Sequence, residues 1–86
     1  MSCNHVRFVG GGRWATIVLT ELVQAFPHLT IDWICHLNLS KKIEFSRSSA
    51  LFKNVNPVDN KNIEELAQPD KVIIASEGLT INFSDL

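Results

Sequence analysis

The 86-residue chain is long enough for one domain, and a chain of this size buries only about 60–65 per cent of its unfolded surface, enough for one modest core. Its 45% hydrophobic and 20% charged residues are globular proportions rather than disordered ones. Formal net charge is -1 and no basic stripe exists beyond Lys41 and Lys42, which argues against nucleic acid as a partner.

In chain order, residues 5–9, "HVRFV", alternate apolar and polar, which predicts a strand stopped by Gly10. Over residues 13–26, Trp14, Ile17, Val18, Leu22, Val23 and Ala25 recur near helical spacing, and Pro27 closes the helix. Residues 30–37, "TIDWICHL", carry one charge among Ile31, Trp33, Ile34 and Cys35, the pattern of a strand covered on both faces. The polar stretch "NLSKKIEFSRSSALFKN" predicts a loop and a short helix, with weak helical spacing through Ile43, Phe45, Leu51 and Phe52.

Residues 55–58 read as a short third strand, which Pro57 places at an edge. Asn60 or Asn62 then caps a helix through Ile63, Leu66 and Ala67, with Glu64 and Glu65 in its first turn and Pro69 at its end. Residues 71–75, "KVIIA", form the clearest buried strand. The tail alternates Leu79, Ile81 and Phe83, as a last strand or a surface packed on a partner would. The alternation of strands and helices predicts one α/β domain over residues 1–86: a Rossmann-like half domain with a mainly parallel sheet of about four strands, right-handed crossovers and flanking helices. Nothing in the sequence approaches the roughly 18 apolar residues of a membrane span, and the N-terminus has no signal-peptide pattern, so no membrane partner and a cytoplasmic location are expected.

Cys3 and Cys35 lie near His5 and His36. If the first two strands are parallel neighbours, the two pairs stand at opposite strand ends, roughly 20 Å apart, too far for one metal ion. A catalytic pair of Cys35 and His36 is disfavoured, because consecutive strand residues point to opposite faces. No catalytic or metal-ligating residue is assigned.

The strongest local signal is Gly10-Gly11-Gly12-Arg13-Trp14-Ala15, which fits G-x-G-x-x-A between a strand and a helix. Gly10 lets the chain turn, Gly12 admits a diphosphate to the backbone, Ala15 brings the helix close to the sheet, and the amides opening the helix face the ligand. The competing reading is a tight turn that only tolerates glycine. Asp32 lies inside the second strand, too early to bond a ribose, while His36, Asn38, Lys41 and Lys42 follow the strand end without a carboxylate. The phosphorylated nicotinamide dinucleotide, NADP, is therefore favoured over NAD.

Together, "RFVGGGRWA", "IDWICHLN" and "IEELAQPDKVIIAS" resemble the N-terminal nucleotide-binding half of the glucose–fructose oxidoreductase and inositol dehydrogenase family. The resemblance covers most of residues 5–76 and implies a dinucleotide lying over Gly10, Gly11, Gly12 and Arg13, with Trp14 alongside and Ser76 near the adenosine or nicotinamide side of the cleft. His36 replaces the family's acidic residue, and "EGLTINFSDL" lacks the Pro and His that commonly follow Ser76. The 86 residues also stop before the family's Glu-Lys-Pro segment and substrate domain, and Lys61 and Lys71 lie in the wrong places to inherit the catalytic lysine. The resemblance thus implies an oxidoreductase-like but truncated module that is not a working dehydrogenase by itself. The alternative is a small non-catalytic interaction protein that binds no nucleotide. In both cases a shortened sheet exposes edges, so a homodimer or other self-association, through the sheet edge or Phe83, is expected.

Overall fold

A computed structural model of the chain describes residues 3–35 and 39–75. Val6 and Phe8, both fully buried, define the inward face of the first strand, β1 (His5–Val9). After the glycine turn come helix α1 (Arg13–Ala25), strand β2 (Thr30–Cys35) and helix α2 (Leu39–Arg47). A single 3-10 turn at Ala50–Phe52 leads into β3 (Val55–Asp59), and a 3-10 helix at Asn60–Glu65 precedes β4 (Lys71–Ile74). All strand pairs are parallel, in the order β3-β2-β1-β4. The chain therefore steps outward from β1 to β3 and then crosses back to lay β4 on the other side of β1. That reversal makes a switch point between β1 and β4, as in a Rossmann-like half domain, and the α/β class matches the sequence reading.

Register sorts the residues into two faces. Val6, Ile31 and Val55 align, as do Phe8, Trp33, Pro57 and Ile73. Most of these side chains join Ala15, Val18, Leu19, Leu22 and Val23 of α1 in one core, where each large aliphatic side chain contributes roughly 1.5–3 kcal/mol by leaving water. Helix α2 docks on the same core through Phe45, whose ring stands edge-on to Trp33 at 5.9 Å and tilted against Phe52 at 4.8 Å. The spacing over 13–26 predicted Ile17 and Ala25 inside; Ile17 is 46% exposed and Ala25 exposed, while Ala15 and Leu19 take the inward positions. A helix face of that width admits either choice, and the tilt of α1 on the sheet selects one.

Pro57 sits on an edge strand, as predicted. Ile31 donates its N–H to the Asn54 carbonyl, so β3 turns its even-numbered backbone groups toward β2 and Pro57, at an odd position, costs no ladder bond.

Two further expectations fail. The segment after β3 is a 3-10 helix ending at Glu65, not a helix running to Pro69, and its cap is Asp59, whose carboxylate accepts the Lys61 N–H at 3.0 Å, rather than Asn60 or Asn62. The reason is reach: returning down the sheet and crossing from β3 to β4 needs about 20 Å, whereas the connecting residues wound as α-helix would span only about 16 Å. Leu66 accordingly adopts extended backbone, φ -85 and ψ 149. Strand β4 is not buried on both faces either. It is an edge strand with Ile73 inside and Val72 and Ile74 exposed at 51% and 59%.

Two local devices hold β4 on β1. Asp70 Oδ2 accepts the N–H groups of Asn4 and His5 at 2.9 and 3.0 Å, and the Asp70 N–H donates to the His5 carbonyl. These backbone bonds hold the Asp70 carboxyl below its ordinary value of 3.8. At the other end Gly10 has φ +147, and a Cβ there would lie 2.7 Å from the Ala75 carbonyl oxygen and 3.0 Å from the Ala15 methyl. Gly10→Ala is expected to cost about 2 kcal/mol or more in urea unfolding, while Gly11→Ala, whose added methyl meets only the Lys42 chain at 3.6 Å, changes stability by no more than about 0.5 kcal/mol. Because the folded Asp70 carboxyl binds its proton less readily than the unfolded one, its contribution is complete above the unfolded pKa and is lost as pH falls through the folded value. Acid titration of stability should therefore show the wild type losing its advantage over Asp70→Asn below a pH of about 3.8.

Candidate functional site

The glycine turn lies at the carboxyl ends of β1 and β2, beside the end of β4. Its first residue is tied down on several sides: the Gly10 carbonyl accepts the Trp33 Nε1–H at 2.6 Å, and the Ala75 N–H donates to the Val9 carbonyl at 2.9 Å. The Gly11 carbonyl accepts from Lys42 Nζ at 2.6 Å, and that ammonium stands 5.4 Å from the centre of the Trp33 ring. The fully buried Trp33 side chain thus supports the turn through its indole N–H and the lysine through its ring.

Gly12 differs. It is the N-cap of α1, with φ -82, no side-chain cap and no acidic residue in the first turn, and a Cβ placed on it would meet nothing within 4 Å. Helix geometry leaves the amides of the first turn without intrahelical acceptors; Thr16, the next residue, donates to the Gly12 carbonyl at 3.1 Å. The arrangement presents backbone donors and the positive end of a 13-residue helix to open space. Arg13 is exposed, and Lys42 adds a second cation close by.

Gly10, Gly11, Gly12, Arg13 and Trp14 are brought together at this junction, with Trp14 packed against the core. Lys41 is exposed on α2, and Lys42 is the lysine that reaches the turn. His36, Asn38 and Ser76, together with the tail bearing Leu79, Ile81 and Phe83, lie outside the described residues. Asp32 is engaged elsewhere: it is 6% exposed and bonds His5 Nε2 at 2.5 Å, toward the opposite end of the sheet from the glycines. Sequence reasoning missed Asp59, which stands beside Cys35 in the register at the same sheet end as the glycine turn, and directs Oδ1 to the Lys61 amide with Oδ2 4.0 Å from the Lys61 ammonium. It also missed Trp33 as the turn's support, since nothing local in "TIDWICHL" couples an indole to a loop 23 residues earlier.

Cys35 is 1% exposed and donates weakly to the Trp33 carbonyl at 3.4 Å. Burial pushes its thiol pKa up, with Lys42 opposing and Asp59 reinforcing the rise. Among the described residues no group of three or more His, Cys, Asp or Glu side chains is placed to hold a metal ion. An aromatic disulfide reagent at neutral pH should modify the half-buried Cys3 in the native protein and Cys35 only after denaturation; equal native rates would contradict the buried placement of Cys35. Comparison with family models, with characterised proteins and with solved structures finds no match to this chain.

Proposed function

We propose that the chain is a nicotinamide dinucleotide-binding module whose glycine turn and α1 N-terminus hold the pyrophosphate. The single observation that carries this reading is the bare, uncapped start of α1 at Gly12, open on the side where a ligand would sit and next to the β1/β4 switch point. Folding does not require a glycine there: φ -82 suits any residue, and the space is empty. Gly10, by contrast, is explained by packing alone.

The residues fit the group. Backbone amides of Gly12 to Trp14 would bond the pyrophosphate oxygens, Arg13 and Lys42 would offset their charge, and Gly10 and Ala15 keep the turn, helix and sheet close together. A bound nicotinamide supplies hydride chemistry; the part of this chain is to bind and orient the cofactor. Lys41, exposed next to Lys42 at the start of α2, with Asp32 already taken by His5, favours a 2′-phosphate and hence NADP over NAD. The likeness to the nucleotide-binding half of the glucose–fructose oxidoreductase and inositol dehydrogenase family supports the same ligand class.

A second reading, a self-associating interaction protein without nucleotide, draws on the exposed Val72 and Ile74 of edge strand β4. Thermal melts separate the two. A ligand that binds only the folded state at a hundredfold excess over its Kd adds about 2.7 kcal/mol of stability, and the first reading expects a larger shift with NADP than with NAD. Gly12→Asp should raise the midpoint of the free protein, because aspartate caps the helix and suits its dipole, yet weaken cofactor binding by at least roughly tenfold through charge repulsion. No shift with either cofactor, together with a midpoint that climbs with protein concentration, would replace the first reading with the second.

A further inference from the structure

Away from the glycine turn, α2 and the 3-10 turn after it bound a groove of about 490 Å³ against edge strand β3. That volume lies within the range of sites for small organic molecules. Ile43, Phe52, Val55 and Pro57 supply the apolar part of its lining, and Phe52 and Val55 are themselves buried and continuous with the main core. The floor is therefore fixed by the same packing that holds the sheet.

The polar part of the lining is one-sided. Arg47 and Lys53 both border the groove, both are exposed, and neither has an ion-pair or hydrogen-bond partner among the described residues. No Asp or Glu borders it, although the chain as a whole carries a formal net charge of -1. Ser49 Oγ accepts the Leu51 N–H at 3.2 Å, so its own proton is available to donate outward. Asn56 also borders the groove, but it pairs with Asp32 in the register, so its side chain belongs to the sheet face opposite Val55 and Pro57.

We infer that this groove binds a small amphipathic carboxylate, its apolar body on Phe52, Val55 and Pro57 and its carboxylate between Arg47 and Lys53. Charge complementarity selects the anion, since two cations and the Ser49 hydroxyl border a space without an acidic side chain. The apolar floor selects against a bare inorganic anion, which would leave the half-exposed Ile43 and Pro57 unused. The site is independent of the dinucleotide reading, because neither cation that it uses lies at the glycine turn.

The test is an amide chemical-shift titration of the labelled full chain, without dinucleotide, using 2-naphthoate and its neutral isostere 2-naphthamide. Naphthoate should move the amides of residues 43–57 in a saturable way, and the doubly substituted Arg47→Gln, Lys53→Gln protein should bind it at least roughly tenfold more weakly, the loss of about one charge-assisted hydrogen bond or more. Naphthamide should bind the wild type about as weakly as naphthoate binds the double variant. Both residues are exposed and unpartnered, so the variant's melting midpoint should match the wild type and its fold is checked directly. Equal affinity for acid and amide, no loss in the double variant, shifts confined to the glycine turn, or the same shifts from inorganic phosphate alone would each overturn the assignment.

Discussion

At Gly10 the end of β1 passes so close to the end of β4 and the start of α1 that not even a methyl group fits between them. Three elements meet at this contact, and the rest of the molecule follows from it. The close approach lets the Ala75 amide bond the Val9 carbonyl, keeps Ala15 against the sheet, and points the chain into α1 at the level where the strands end. Trp33 completes the junction from β2, its indole bonded to the Gly10 carbonyl and its ring buried in the core. The turn is consequently part of the core's architecture rather than a loop laid over it. The backbone donors at the start of α1 are held in place by the same packing that fixes the sheet.

The two faces of the sheet are treated unequally. One carries α1, α2 and nearly the whole core; the other is charged and bonded around His5, Arg7 and Asp32, covers Ile34 completely, and becomes apolar and open at Val72 and Ile74. The crossover from β3 to β4 is too short to be a full helix, and among the described residues nothing covers Val72 and Ile74 on the β4 side. An open edge strand beside an uncovered apolar strip is the usual invitation to further pairing.

Charge is distributed with similar economy. Cations gather along α2 and the turn after it: exposed Lys41 and half-buried Lys42 at its start, exposed Arg47 at its end and exposed Lys53 just beyond. In a protein that is slightly acidic overall, this places cations at both ends of one short helix, with Glu44 between them as its single carboxylate, while Asp32 pairs with His5 and Asp70 with the backbone of β1. Such focused potential concentrates anionic ligands without requiring a basic protein.

Local sequence was sufficient for most of the fold. The β-branched and aromatic runs at 5–9 and 30–35, the period of α1, the proline that marks β3 as an edge, and the glycines between strand and helix all follow from rules operating within a few residues, and the parallel α/β class follows from their alternation. The elements of the glycine turn were legible for the same reason. What remained for tertiary structure depended on distances between segments. Whether "KVIIA" is covered on two faces is decided by what packs beside it, whether residues 60–70 wind into a helix by the span they must cross, and which of two adjacent lysines reaches the turn by the pitch of α2 over Trp33. The separate meanings of the glycines belong to this second class as well: three identical letters in the sequence become, in space, one residue clamped by the Ala75 carbonyl and another facing open solvent, because only the arrangement of β4 and α1 around them supplies the difference.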